Sequence, residues 1–135
     1  MKAKVPFELV DISSTSLHID LDQAEARMKK REIGGVLYAH TYGEESTPDD
    51  FFTRAKSLNP DLLVVDDRCL CIPTVETKSS ADVVLFSTGY AKIVELNLCG
   101  YAFMKDDVKY ESAPLKFDPA RHEELEMDYK AAVRS

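Results

Sequence analysis

The chain has no tryptophan, only five glycines, and an odd set of three cysteines, Cys69, Cys71 and Cys99. Gly34, Gly35, Gly43, Gly89 and Gly100 spell neither G-x-G-x-x-G nor a phosphate loop, which argues against the common nucleotide folds. The thiols lie in or beside apolar runs, a pattern of reduced, partly buried cysteines rather than of a disulfide framework. His18, His40 and His122 are scattered, and no C-x-x-C or H-E-x-x-H accompanies the C-x-C pair, so no metal site is expected. Basic stripes are missing too: 17 Lys and Arg face 24 Asp and Glu, for a net charge of -7, which argues against nucleic acid as a partner. The densest basic run, "RMKKRE" (Arg27 to Glu32), is diluted by acids and reads as a solvated helix face. No apolar run approaches membrane-spanning length, and "MKAKVPFELVDI" holds no signal-like core, so no membrane association and a cytoplasmic location are expected.

What is present describes a globular protein. With 135 residues, 44% of them hydrophobic and 30% charged, the chain fits a single domain over 1–135 with a modest core. "FELVDI" (Phe7 to Ile12) reads as a strand. Asp20 to Glu32 reads as a helix with Asp20 or Asp22 as cap, acids early and bases late. Gly34 and Gly35 break it, and Gly35 to His40 forms a second strand. Thr47 as N-cap, Pro48 in the first turn, and Asp49 and Asp50 near the positive end open another helix, which Asn59-Pro60 stops. "DLLVVDD" (Asp61 to Asp67) is nearly continuously apolar, as in a parallel sheet covered on both faces.

This β-α-β-α-β order calls for an α/β layered sheet, a three-layer sandwich with mostly parallel strands. Ligands of such sheets meet the carboxyl ends of the strands, where His40, Asp66, Asp67 and Ser87 all lie. "ADVVLFS" and "CGYAFMKDD" are further strands. The short "TGYAKIVELNL" between them leaves no room for a crossover helix, so the last strand is expected to be reversed or at an edge. A final helix begins at Pro119 with Asp118 as cap and spans 118–134 with its cap.

Among chemical constellations, "VVDD" is placed too late in the chain for a phospho-acceptor receiver, and Ser87 does not sit in G-x-S-x-G. An acid ends one strand, and Ser87 with Lys92 follows the next. These residue types suit pyridoxal 5'-phosphate. A lysine amine can form a Schiff base with its aldehyde, a carboxylate can keep its pyridine nitrogen protonated, and a hydroxyl can bond its phosphate.

Longer stretches carry a resemblance. "FELVDISSTSLHIDLDQAEARMKKREIGGVLYAHTYG" resembles the strand, "D…yniD" turn, helix and "vHlyG"-like strand end of the DegT-type sugar aminotransferases, which share the aspartate aminotransferase fold. "TPDDFFTRAKSLNPDLLVVDD" resembles their next helix and a strand ending in Glu-Asp, and "ADVVLFSTGYAKIVELNLCGYAFMKDD" their "FSF…K…GEGG…tnd" segment. The resemblance covers residues 7–107 in order and implies the central part of the large domain of a pyridoxal-phosphate enzyme, incomplete relative to the whole. It implies Lys92 as the Schiff-base lysine, Asp67 as the pyridinium partner, and Ser87 and His40 as further cofactor-binding residues. The implied activity is transamination of a nucleotide-linked keto sugar with a small amino donor, in a homo-oligomer. The chain departs from the pattern at Leu70, where the family often has Gln, and at "NLCG" (Asn97 to Gly100), which keeps only the last glycine of Gly-Glu-Gly-Gly. The small-residue phosphate cup and the ring-stacking aromatic of the family fall outside the matching stretch. A second expectation is therefore a non-catalytic α/β module that keeps the fold and acts through protein association.

Overall fold

A computed structural model of the chain describes residues 5–15, 18–30, 33–46, 48–96, 100–112 and 118–134. The elements are α1 (Leu21–Lys29), β1 (Gly35–Ala39), a 3-10 turn (Thr41–Gly43), α2 (Asp49–Leu58), β2 (Leu63–Asp67), β3 (Val83–Ser87), β4 (Gly100–Met104) and α3 (Pro119–Arg134). The sheet order is β1-β2-β3-β4. β1, β2 and β3 are parallel, and β4 runs antiparallel to β3 with Ser87 opposite Gly100. This is the expected α/β class with a mostly parallel sheet, and the reversed last strand falls where the short connection requires it.

Local chemistry explains the helix ends. Asp20 caps α1: its carboxylate accepts from the Gln23 backbone N–H at 3.0 Å and from Gln23 Nε2 at 2.9 Å. Gln23's backbone N–H is the main reason its carboxyl lies below the usual aspartate range. Pro48 occupies the cap position of α2, with Asp49 and Asp50 in the first turn and Asn59 ending the helix. Thr47, expected as that cap, lies outside the described residues, as do Arg31 and Glu32 at the expected end of α1. Asp118 caps α3 by accepting from the N–H groups of Ala120 and Arg121.

The expected opening strand is a correction. Residues 7–11 form no strand; the segment folds back locally, with an antiparallel bridge between Ile12 and Ile19 and bonds from Ser13 N–H to His18 O and from Asp20 N–H to Asp11 O. Phe7 and Leu9 stay exposed. A strand needs a neighbour to satisfy its backbone, and this segment finds one in the turn that follows it rather than in the sheet.

Period-two alternation divides the sheet into two unlike faces. Val36 and Tyr38 of β1, Val64 and Asp66 of β2, Val84 and Phe86 of β3 and Phe103 of β4 share one side. Ala24 and Met28 of α1 and Phe51, Phe52 and Ala55 of α2 pack there and complete the core. Phe51 and Phe52 are fully buried, each worth about 2–3 kcal/mol of apolar burial. On the other side, Leu37, Val65, Val83 and Met104 lie in one row and Ala39, Asp67, Leu85 and Ala102 in the next. Among the described residues no helix covers this second face, and Leu37, Leu63 and Met104 are 54%, 41% and 43% exposed. Two layers of the three-layer plan are thus present.

Candidate functional site

The pair at the end of β2 is split by strand geometry. Asp66 points under the helices and is fully buried, whereas Asp67 lies on the open face and is half-buried.

Asp66 anchors a buried polar cluster. One oxygen meets His40 Nε2 at 2.6 Å, and the other accepts from Arg68 Nε at 3.0 Å. Burial opposes ionisation of this carboxyl, but hydrogen bonds from His40, Ser79 and Arg68, with the Arg68 charge, outweigh it and hold the group below the usual range. His40 Nδ1 lies 2.7 Å from the Glu44 carbonyl, and since a carbonyl only accepts, Nδ1 donates. Tyr38 packs edge-on to His40 with ring centroids 5.1 Å apart, and burial, with the charges of Glu44 and Asp66, pushes its phenol up to about 12. Cys71 donates its thiol to the same Glu44 carbonyl, which fixes the turn after β1 against the segment after β2. Both ring nitrogens of His40 are therefore engaged within the protein, on the side of the sheet away from Asp67.

The open side carries Asp67 and Ser87. Asp67 Oδ1 accepts the Cys69 backbone N–H at 3.0 Å. Desolvation, a hydrogen bond to Asp67 and its charge push the Cys69 thiol up to about 11, opposed by the positive charge of Lys92. Lys92 thus lies within electrostatic reach of the Asp67–Cys69 pair. Ser87, at the end of the neighbouring strand, accepts the Gly89 N–H at 3.4 Å, and its own O–H remains a donor. Ala91, just before Lys92, holds a left-handed φ of 59°, a conformation that costs a non-glycine residue about 1–2 kcal/mol. Bonds from Lys92 N–H to Gly89 O, from Leu96 N–H to Thr88 O and from Ala91 N–H to the Glu95 carboxylate hold this loop. Asp67, Ser87 and Lys92 are all half-buried, so each remains reachable from solvent.

Two glycines of the quoted motifs answer to close backbone contacts. Gly43 has a φ of +75°, and a Cβ there would meet the Leu70 carbonyl at 2.5 Å. A Cβ on Gly100 would lie 2.4 Å from the Phe86 carbonyl, so only glycine lets β4 join β3 in this register. Sequence reasoning did not single out Asp82, which is buried and accepts from Lys56 Nζ at 2.8 Å, the Val64 N–H at 2.9 Å and Lys105 Nζ at 3.3 Å. Burial opposes its ionisation, but Lys56, Val64 and Lys105 outweigh it and lower its carboxyl. The only signal in the sequence was an acid just inside an apolar strand.

A cleft of about 350 Å³ lies on the helix side of the sheet, lined by Val75, Glu76, Thr77, Val84, Phe103 and Lys105, and it does not include Lys92. Among the described residues no group of three or more His, Cys, Asp and Glu is placed to hold a metal ion, and no helix is long and apolar enough to cross a membrane. Compared with family models, curated proteins and solved structures, the chain finds no match in any of the three.

Proposed function

We propose that the chain carries the cofactor-binding strand ends of a pyridoxal 5'-phosphate-dependent aminotransferase acting on a nucleotide-linked keto sugar, with Lys92 as the residue that holds the cofactor. The observation that carries this reading is that Asp67 and Ser87 end the adjacent parallel strands β2 and β3 on the open side of the sheet, with Lys92 within electrostatic reach of Cys69 beside Asp67. Their chemistry fits the group: an acid for the pyridine nitrogen, a hydroxyl donor for the phosphate and an amine for the aldehyde. When bound, the cofactor supplies an electron sink for amino-group transfer. Asp67 would hold a proton at the ring nitrogen, Ser87 Oγ would donate to a phosphate oxygen, and Lys92 Nζ would take and return the proton that moves during transfer. His40 acts from behind the sheet, fixing the turn after β1 through Glu44 and Asp66.

Addition of pyridoxal 5'-phosphate to the full chain is expected to produce an absorbance band near the visible edge that Lys92→Ala abolishes. Borohydride trapping followed by peptide mass mapping should place the label on Lys92. An unchanged band in the variant, or label on another lysine, overturns the assignment.

A second reading, a non-catalytic module acting through protein association, is favoured by the uncovered apolar face of the sheet. No spectral change with cofactor, together with a stable oligomer, would select it.

A further inference from the structure

We infer that the cleft beside β4 is a binding site for a small aromatic carboxylate, with Phe103 under its ring and Lys105 at its charged end. The inference goes beyond the cofactor reading and is independent of it: Asp67, Ser87 and Lys92 do not line this cleft.

The cleft follows from how the edge of the sheet is covered. Among the described residues no helix packs against β4, and a strap, residues 74–80, crosses it instead. Tyr101, Phe103 and Lys105 follow one another at two-residue spacing and so share one side. The outer two tie the strap down. Tyr101 O–H donates to the Thr74 carbonyl at 2.5 Å, and Lys105 Nζ donates to the Ser80 carbonyl at 2.7 Å. Asp49 of α2 fixes the second end, accepting from the Ser80 N–H and O–H at 2.7 Å each. Between the ties a cleft of about 350 Å³ remains over Val84 and Phe103. Chain laid over chain normally packs closely, so a space of this size beneath a pinned strap marks a site. Its volume is at the small end for ligand pockets and suits a molecule of one ring.

The lining selects the ligand's chemistry. Phe103 stands edge-to-face with Phe86 at 6.2 Å and with Tyr101 at 5.7 Å, and an aromatic ring laid on it extends this cluster. Lys105 supplies the charge. Of the three N–H groups of its ammonium, two meet the Ser80 carbonyl and, at 3.3 Å, Asp82 Oδ1. Among the described residues the third is left for a ligand oxygen. Asp82 does not compete for a cation, because Lys56, Lys105 and the Val64 N–H already occupy both its oxygens. Thr77 Oγ1 accepts the Ser79 N–H and keeps its own O–H as a second donor. The Glu76 carboxylate lines the same cleft, and its charge turns an anionic group away from itself and toward Lys105.

Hydrocinnamate and its neutral amide are the probes, followed by saturation-transfer NMR and calorimetry on the full chain. The acid is expected to bind at least about tenfold more tightly than the amide. Lys105→Met should remove that preference. Glu76→Gln, at an exposed side chain, should tighten the acid by about 2–5-fold and leave the amide unchanged, which decides the question even where Lys105→Met fails to fold. Lys92→Ala should bind the acid as the wild type does. Equal binding of acid and amide, no binding of either, or an acid affinity that neither Lys105→Met nor Glu76→Gln moves overturns the inference. So does an acid that displaces the Lys92-dependent absorbance band, since it then sits at the strand ends. Absence of that band with acid binding intact overturns the cofactor reading alone.

Discussion

Asp67 accepts the Cys69 backbone N–H and adds to the burial that raises the Cys69 thiol. The thiolate is the nucleophile, and burial first, then the hydrogen bond and charge of Asp67, keep the proton on the Cys69 sulfur. Asp67→Asn removes the charge and keeps an amide oxygen that can still accept the Cys69 N–H. It should therefore speed alkylation of Cys69 by iodoacetamide at pH 8 several-fold, read by peptide mapping, whereas Lys92→Ala should slow it. Equal rates in the wild type and Asp67→Asn would show that the contact does not control the thiol. At this scale the sequence located the strand-end acids but not their partition. "VVDD" was legible as two strand-end acids that could share one crevice with His40 and Ser87, but strand alternation puts Asp66 and His40 under the helices and Asp67 on the open face.

The loop between β3 and β4 shows how an element can be short and still strained. Nine of its residues, 88–96, are described, and Ala91 just before Lys92 holds a left-handed φ of 59°. Ala91→Gly relieves the left-handed conformation at some cost in unfolded-chain entropy, and should stabilise the protein by about 0.5–1 kcal/mol in urea denaturation. A destabilised variant would mean that the turn is set by packing rather than by φ. Helix caps and strands were readable locally: Asp20, Asn59 and Asp118 stand where the caps and stops were expected. The opening strand was not readable in the same way. "FELVDI" has strand composition, but strand formation depends on a partner edge, and the bridge from Ile12 to Ile19 took the place of one.

For the whole molecule, two buried carboxylates tie separate elements together. Asp66 links the end of β2 to His40 after β1, and Asp82 links α2, β2 and the segment after β4. Both have carboxyls lowered from 3.8, so both bind protons less readily folded than unfolded. Their contribution is fully present above the unfolded value and is lost as pH falls through the lower folded values. Asp66→Asn should lower stability at pH 6 by about 3–5 kcal/mol, the scale of breaking a buried ion pair, and the gap to wild type should narrow as pH falls below about 4. Urea titrations at several pH values would test this, and parallel curves would count against it. The sequence by itself determined the α/β class, the order of most elements, and the placing of Asp67 and Ser87 at strand ends, because periodicity and capping are local properties of the chain. Only the tertiary structure decided which acid is buried, which segment fails to pair, and which sheet face stays open. Those outcomes depend on contacts between residues far apart in sequence, and local patterns carry no record of them.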